Sequence, residues 1–162
     1  MTHKTKFPYA GAIVLGMHDA LVEISGIIAG LTFAITDQRI IIMTAVIAAI
    51  SASMSMAAAN YQANRADKNP HAGRCAIYTG IAYIATCVIL IIPFAIIENR
   101  FIALGMMGMN AALVIFGFNC MVPDDDRPLL KRFAQMFSIC AIVAITSFAI
   151  GIIAKHFLGV NI

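Results

Sequence analysis

Charge is scarce in this chain: 12% of its 162 residues are Asp, Glu, Lys or Arg, against about 25% in soluble domains. Together with 61% hydrophobic residues and a mean hydropathy of +0.89, that scarcity excludes an ordinary soluble enzyme, because a chain this short has ample surface to cover with polar groups. It also excludes a disordered tail and a nucleic-acid binder, and the net charge of +3 matters for where it lies rather than for its size. Cysteines are few (Cys75, Cys87, Cys120, Cys140). They form no C-x-x-C pair and match no zinc or disulfide framework, so they read as isolated membrane-helix thiols. Histidine is scarcer still inside apolar sequence, where only His18 occurs. A membrane redox enzyme with bis-His haem needs paired histidines, which argues against that class. Long polar segments are missing too. No separate soluble domain or linker is expected, and residues 1–162 read as a single transmembrane domain.

What is present is apolar runs. A bilayer core is crossed by about 20 mainly apolar residues in a helix, and five stretches qualify: about 10–35, 40–64, 76–97, 101–122 and 129–154. The breaks are short and polar: Asp37-Gln38-Arg39, the stretch from Arg65 to His71, Glu98-Asn99-Arg100, and Pro123 to Pro128. Helices are expected because lipid offers open backbone groups no partner. The fold class is thus all-α, a polytopic membrane protein with five transmembrane helices. The first stretch is too long and too acidic for a cleavable signal peptide.

Basic residues set an expected orientation. Lys4, Lys6, Arg65, Lys68, Arg74, Arg127, Lys131 and Arg132 share one side, and only Arg39, Arg100 and Lys155 the other. The positive-inside rule puts the N-terminus in the cytosol and the C-terminus outside. Tyr9, Tyr61 and Tyr78 then fall near the inner interface.

Asp19 and Glu23 are the informative residues. Each lies near mid-span, where an ionised acid costs about 2.5–3.5 kcal/mol on insertion scales, and four residues apart they share a helix face. At about 100° per residue Gly16, Asp19, Glu23, Gly26 and Gly30 form one stripe. Leu21, Ile24, Ile28, Leu31 and Ile35 form the opposite one, which suits lipid. Gly26-x-x-x-Gly30 is a close-packing spacing. In the second stretch Ala45, Ala49, Ala52, Met56, Asn60 and Ala63 share a face, and Met43, Ile47, Ile50, Met54 and Tyr61 the other. Asp19 precedes the hairpin apex, and Met56 follows it, by about 18–19 residues, or roughly 28 Å of helix. That gives them similar depth, with Asn60 about one turn nearer the cytosol.

Carboxylates with a thioether suit a borderline divalent ion such as Fe(II), and less clearly Mn(II), Co(II), Ni(II) or Zn(II); Mg and Ca want oxygen alone. Because metal ligands must be deprotonated, metal entry expels protons. The bland readings stand beside these. Mid-span acids also serve helix pairing in a non-transporting subunit, and Met56 also serves as packing. His18, about 100° from Asp19 on the helix, reads as lining or packing. Met54 is placed against lipid or another helix. Asn110 lines a path or satisfies a helix contact. Asn119 and Gln135 read as interfacial, and Glu98 as exposed on the outer surface. Asp124-Asp125-Asp126 reads as a solvated helix cap or a cation attractor, and Asp67 with His71 as a weak vestibule.

These residues resemble the vacuolar iron transporter (VIT) family. The likeness rests on His18-Asp19-Ala20-Leu21-Val22-Glu23 followed by Gly26 and Gly30. It rests equally on Ser53-Met54-Ser55-Met56-Ala57-Ala58-Ala59-Asn60-Tyr61, similar to the family's S-x-S-M-A-A-x-E-Y segment. Ala76 to Tyr83 is similar to the third helix of short members. The resemblance implies a homodimer in the bilayer, with the first two helices of each copy lining a central pathway. It implies export of cytosolic Fe(II) or Mn(II) in exchange for protons, with no permanently bound cofactor and no covalent chemistry. Asp19 and Met56 fall on family pathway positions, and Glu23 matches the short branch. Asp19, Glu23, Met56 and Asn60 are the expected metal set. Secondary pathway candidates are His18, Met54 and Asn110. The chain departs from the plant-type pattern at Ala48 and Asn60, where acids are usual, and only about 66–74 stands where those members carry a cytosolic metal-binding domain. A ferritin-like N-terminal domain is not expected. A short member implies a bacterial or archaeal plasma membrane.

Overall fold

The computed structural model describes residues 9–121 and 128–158, with the side chains at 154, 155 and 158 left aside. Lys4, Lys6, Asp124, Asp125, Asp126 and Arg127, and the side chain of Lys155, lie outside the described residues. The described residues form five α-helices: α1 (Ala10–Ala34), α2 (Gln38–Ala66), α3 (Ala72–Ile96), α4 (Arg100–Met121) and α5 (Leu129–Leu158). All five are long and apolar enough to cross a membrane. The third begins four residues before the apolar run at Ala76, and the fifth continues past 154.

Local chemistry ends the helices where the polar breaks fall. Asp37 caps α2 by accepting the Arg39 backbone N–H at 2.8 Å, as a short acceptor at an N-cap does. Asn99 does the same for α4, accepting from Phe101 at 3.0 Å and Ile102 at 3.3 Å. Lys68 turns the chain after α2 with φ of 55°. Pro93 sits inside α3 and has no N–H to offer the carbonyl four residues back. That carbonyl, on Ile89, instead accepts from Asn110 Nδ2 of α4 at 3.0 Å. Gln38 Nε2 donates to Phe94 and Ile97 carbonyls at the end of α3, and Arg100 Nη1 donates to the Ile35 carbonyl at the end of α1. These are the backbone acceptors that lipid could not satisfy.

The centre of the bundle is α1, which touches each of the other helices. Its Leu21, Ile24 and Ile28 are fully buried with Tyr83, Leu90 and Phe94 of α3, Ile41 of α2 and Ile115 of α4. This corrects the expectation that Leu21, Ile24 and Ile28 face lipid. Leu31 and Ile35 are half-buried. The physical reason is that lipid tails are as apolar as leucine, so greasiness alone does not tell a lipid face from a core face. The expected division of α2 is present over most of its length, with Ala45, Ala49 and Asn60 buried, Ala52 and Met56 half-buried, and Met43, Ile47, Ile50, Met54 and Tyr61 exposed; Ala63, expected on the inner face, is exposed near the helix end. Its small-residue face packs chiefly on α3, more than on α1: a Cβ on Gly80 would stand 3.4 Å from the Ala57 Cβ. Asn119, expected at an interface, is buried near the end of α4, with Nδ2 donating to the Ile115 carbonyl at 2.9 Å. Gln135 is exposed.

Candidate metal pathway

Two close helix crossings frame the carboxylates. Gly16 lies against the Thr79 backbone of α3, and the Thr79 hydroxyl donates to the Ala12 carbonyl at 3.0 Å. Ten residues on, a Cβ at Gly26 would stand 2.9 Å from Ser147 Oγ of α5, and one at Gly30 would stand 3.0 Å from the Ser147 carbonyl oxygen. From the other side, a Cβ at Gly151 would lie 2.6 Å from the Gly30 oxygen. The glycine stripe read from the sequence is therefore a pair of contacts with α3 and α5. Asp19 and Glu23 occupy the length of α1 between them.

Asp19 is half-buried and lies within electrostatic reach of Glu23 and His18. Glu23 is exposed; it stands at one end of a groove walled by Gly26, Gly30, Thr44, Ser147 and Gly151. Its Oε2 accepts a hydrogen bond from the Tyr83 hydroxyl at 2.6 Å. Among the described residues neither carboxylate is paired with a lysine or arginine, and no three acidic, histidine or cysteine side chains within one chain gather into a metal-holding cluster.

The other candidates are placed as follows. Met56 is half-buried against the core, and Met54 is exposed. Asn60 is buried and belongs to an amide chain at the end of α2. Asn64 Nδ2 donates to Asn60 Oδ1 at 2.6 Å and Asn69 Nδ2 to Asn64 Oδ1 at 2.7 Å. His18 is half-buried, with its Nδ1 enclosed and unpartnered. Asn110 serves the Ile89 carbonyl, as described. Tyr9 stacks on Tyr78 with centroids 4.7 Å apart and meets His71 edge-on, forming an aromatic cluster at the end of α1. Asp67 and Glu98 are exposed, and all four cysteines are free thiols.

Sequence reasoning missed Tyr83 as a partner of the acids. A usable signal was there: a tyrosine deep in a span needs an acceptor for its hydroxyl, and it follows Thr79 by one turn on the α3 face that meets α1.

The model of the VIT family matches residues 10–73, which covers α1, α2 and the turn into α3. No curated protein matches the chain. Over the matched segment, which carries both carboxylates and the methionine-bearing face, the chain is consistent with a member of the VIT family, and that family suggests membrane transport of metal ions.

Proposed function

We propose that the chain exports a divalent transition metal, Fe(II) or Mn(II), from the cytosol in exchange for protons, through a pathway where two copies meet. One observation carries the reading: among the described residues, the two carboxylates at mid-span have no lysine or arginine partner, and one of them, Glu23, is exposed on the single chain. An ionised carboxylate facing lipid is costly, and such residues turn toward a bundle interior or an aqueous cavity. A second copy over the groove beside Glu23 supplies that cover and doubles the donor set. Two Asp19, two Glu23 and two Met56 then offer hard oxygens and soft sulfur to a borderline ion, where the described residues of one chain hold no cluster of three acidic, histidine or cysteine side chains. Carboxylates bind metal only when deprotonated, so each ion entering displaces the protons they hold. Asn60 and its amide chain lie on the cytosolic approach in an orientation with the N-terminus inside, and a plasma membrane of a bacterium or archaeon is the proposed location.

The alternative is a non-transporting subunit whose buried acids serve packing. The Tyr83–Glu23 hydrogen bond, which ties α3 to α1, favours it; Asp19, with no such tie among the described residues, does not. Mn(II) and Fe(II) flux into proteoliposomes, with and without an imposed pH difference, separates the two. The transporter reading expects wild-type flux that responds to the pH difference and vanishes in Asp19→Asn and Glu23→Gln while the dimer persists. No wild-type flux, with the same substitutions dissolving the assembly, overturns it.

A further inference from the structure

We infer that Tyr83 is a positioning residue that fixes the Glu23 carboxylate for the metal, leaving Asp19 as the mobile ligand. The inference rests on the transport reading and goes beyond it to a helix, α3, that the acids themselves do not occupy.

The Tyr83 ring is fully enclosed, with 0% exposure, and a side chain packed on all sides has no room to swing. Its hydroxyl reaches across the α1–α3 contact to Glu23 Oε2 at 2.6 Å, a short bond of the charge-assisted kind. The base of the ring is equally fixed. One turn earlier on α3, Thr79 is locked to α1 by its hydroxyl on the Ala12 carbonyl and by the tight seat of Gly16 against its backbone. The donor is therefore held by the fold, and the acceptor is held by the donor. One oxygen of Glu23 is tethered, and the other remains for an ion in the groove beside Gly26 and Ser147. Asp19, one turn away on the same face, accepts no hydrogen bond among the described residues; it lies within electrostatic reach of Glu23, His18, Tyr83 and Cys87 without being tied to any of them. One anchored and one free carboxylate is an arrangement that keeps an ion in register while allowing it to be passed on. Groups that orient a metal ligand in this way typically contribute about 10–100-fold to metal affinity.

The test is Mn(II) affinity of the full-length protein in detergent, read from the free-ion EPR signal. Tyr83→Phe keeps the ring and its packing and is expected to weaken Mn(II) binding by about tenfold or more. Glu23→Asp, which draws the carboxylate off the hydroxyl, is expected to lose a similar factor, and adding Tyr83→Phe to it is expected to lose nothing further. The same holds in a Glu23→Ala background. Packing alone would instead make the losses independent and multiplicative. Unchanged affinity in Tyr83→Phe, or an equal loss with and without the Glu23 carboxylate, overturns the inference while leaving the transport reading intact. A wild-type protein that takes up no Mn(II) overturns both.

Discussion

Gly16→Ala is expected to loosen the α1–α3 crossing and, with it, the grip on Glu23. An added Cβ would stand 2.9 Å from the carbonyl carbon and 3.1 Å from the Cα of Thr79, whereas packed carbons sit at about 3.5–4.0 Å. The Thr79 carbonyl oxygen lies nearer still; all three obstructing atoms are backbone, so no rotamer change relieves the contact and α3 must retreat by about 1 Å. Tyr83 is one turn along and moves with it, which carries its 2.6 Å bond to Glu23 beyond the roughly 3.0 Å limit of good O–H···O geometry. Overpacking of this kind costs about 1–3 kcal/mol, and for a chain of this length each kcal/mol lowers Tm by about 2–4 °C. Far-UV circular dichroism melting in detergent reads the change, and Mn(II) affinity reads the displaced carboxylate. Gly108→Ala on α4 is the control: nothing lies within 4 Å of its added Cβ, and helix propensity alone makes it neutral or more stable by up to about 1 kcal/mol. The reasoning is refuted if Gly16→Ala melts with the wild type, or if the two substitutions shift Tm in the same direction.

Other expectations concern α3, α4 and the orientation. Asn110→Leu strips the Ile89 carbonyl of its donor and is expected to cost about 0.6 kcal/mol, up to about 1.7, in the range measured for interhelical bonds in membranes. Pro93→Ala restores a backbone N–H four residues on, so the Asn110→Leu cost should disappear in that background; a loss of the same size there would mean the amide acts elsewhere. Cys120 is the exposed thiol, the other three being buried. With the N-terminus inside, a membrane-impermeant maleimide is expected to label it in inside-out vesicles and not in intact cells. Labelling from the cell exterior would invert the proposed direction of transport.

The sequence made helices legible and helix neighbours much less so. Length and apolar content marked five spans because a bilayer imposes both, and the short polar breaks marked where the helices end, while the caps that Asp37 and Asn99 form there came from the structure. The faces of α2 were legible for a related reason: alanine and asparagine permit close approach, while Met43, Ile47 and Met54 do not. The core face of α1 was not legible. Leu21, Ile24 and Ile28 would be as content in lipid as against Tyr83 and Leu90, so no transfer free energy distinguishes the two placements. Which helix fills each glycine seat was hidden for another reason. Gly26 and Gly30 announce a close neighbour, yet Ser147 and Gly151, more than a hundred residues on, are an unremarkable pair until the bundle assembles.

The acids are where these two kinds of information meet. Apolar residues in a membrane are nearly free to face either way, so their arrangement is fixed by the few groups that are not. Asp19 and Glu23 must avoid lipid, Tyr83 must satisfy its hydroxyl, and Gly16, Gly26 and Gly30 let α3 and α5 approach on either side of the pair. Those requirements together orient α1 in the bundle, burying its leucine and isoleucine face by default. What they do not supply within one chain is cover for Glu23. A fold whose orientation is set by a carboxylate, and which then leaves that carboxylate exposed beside a groove, is what the proposed second copy would cover.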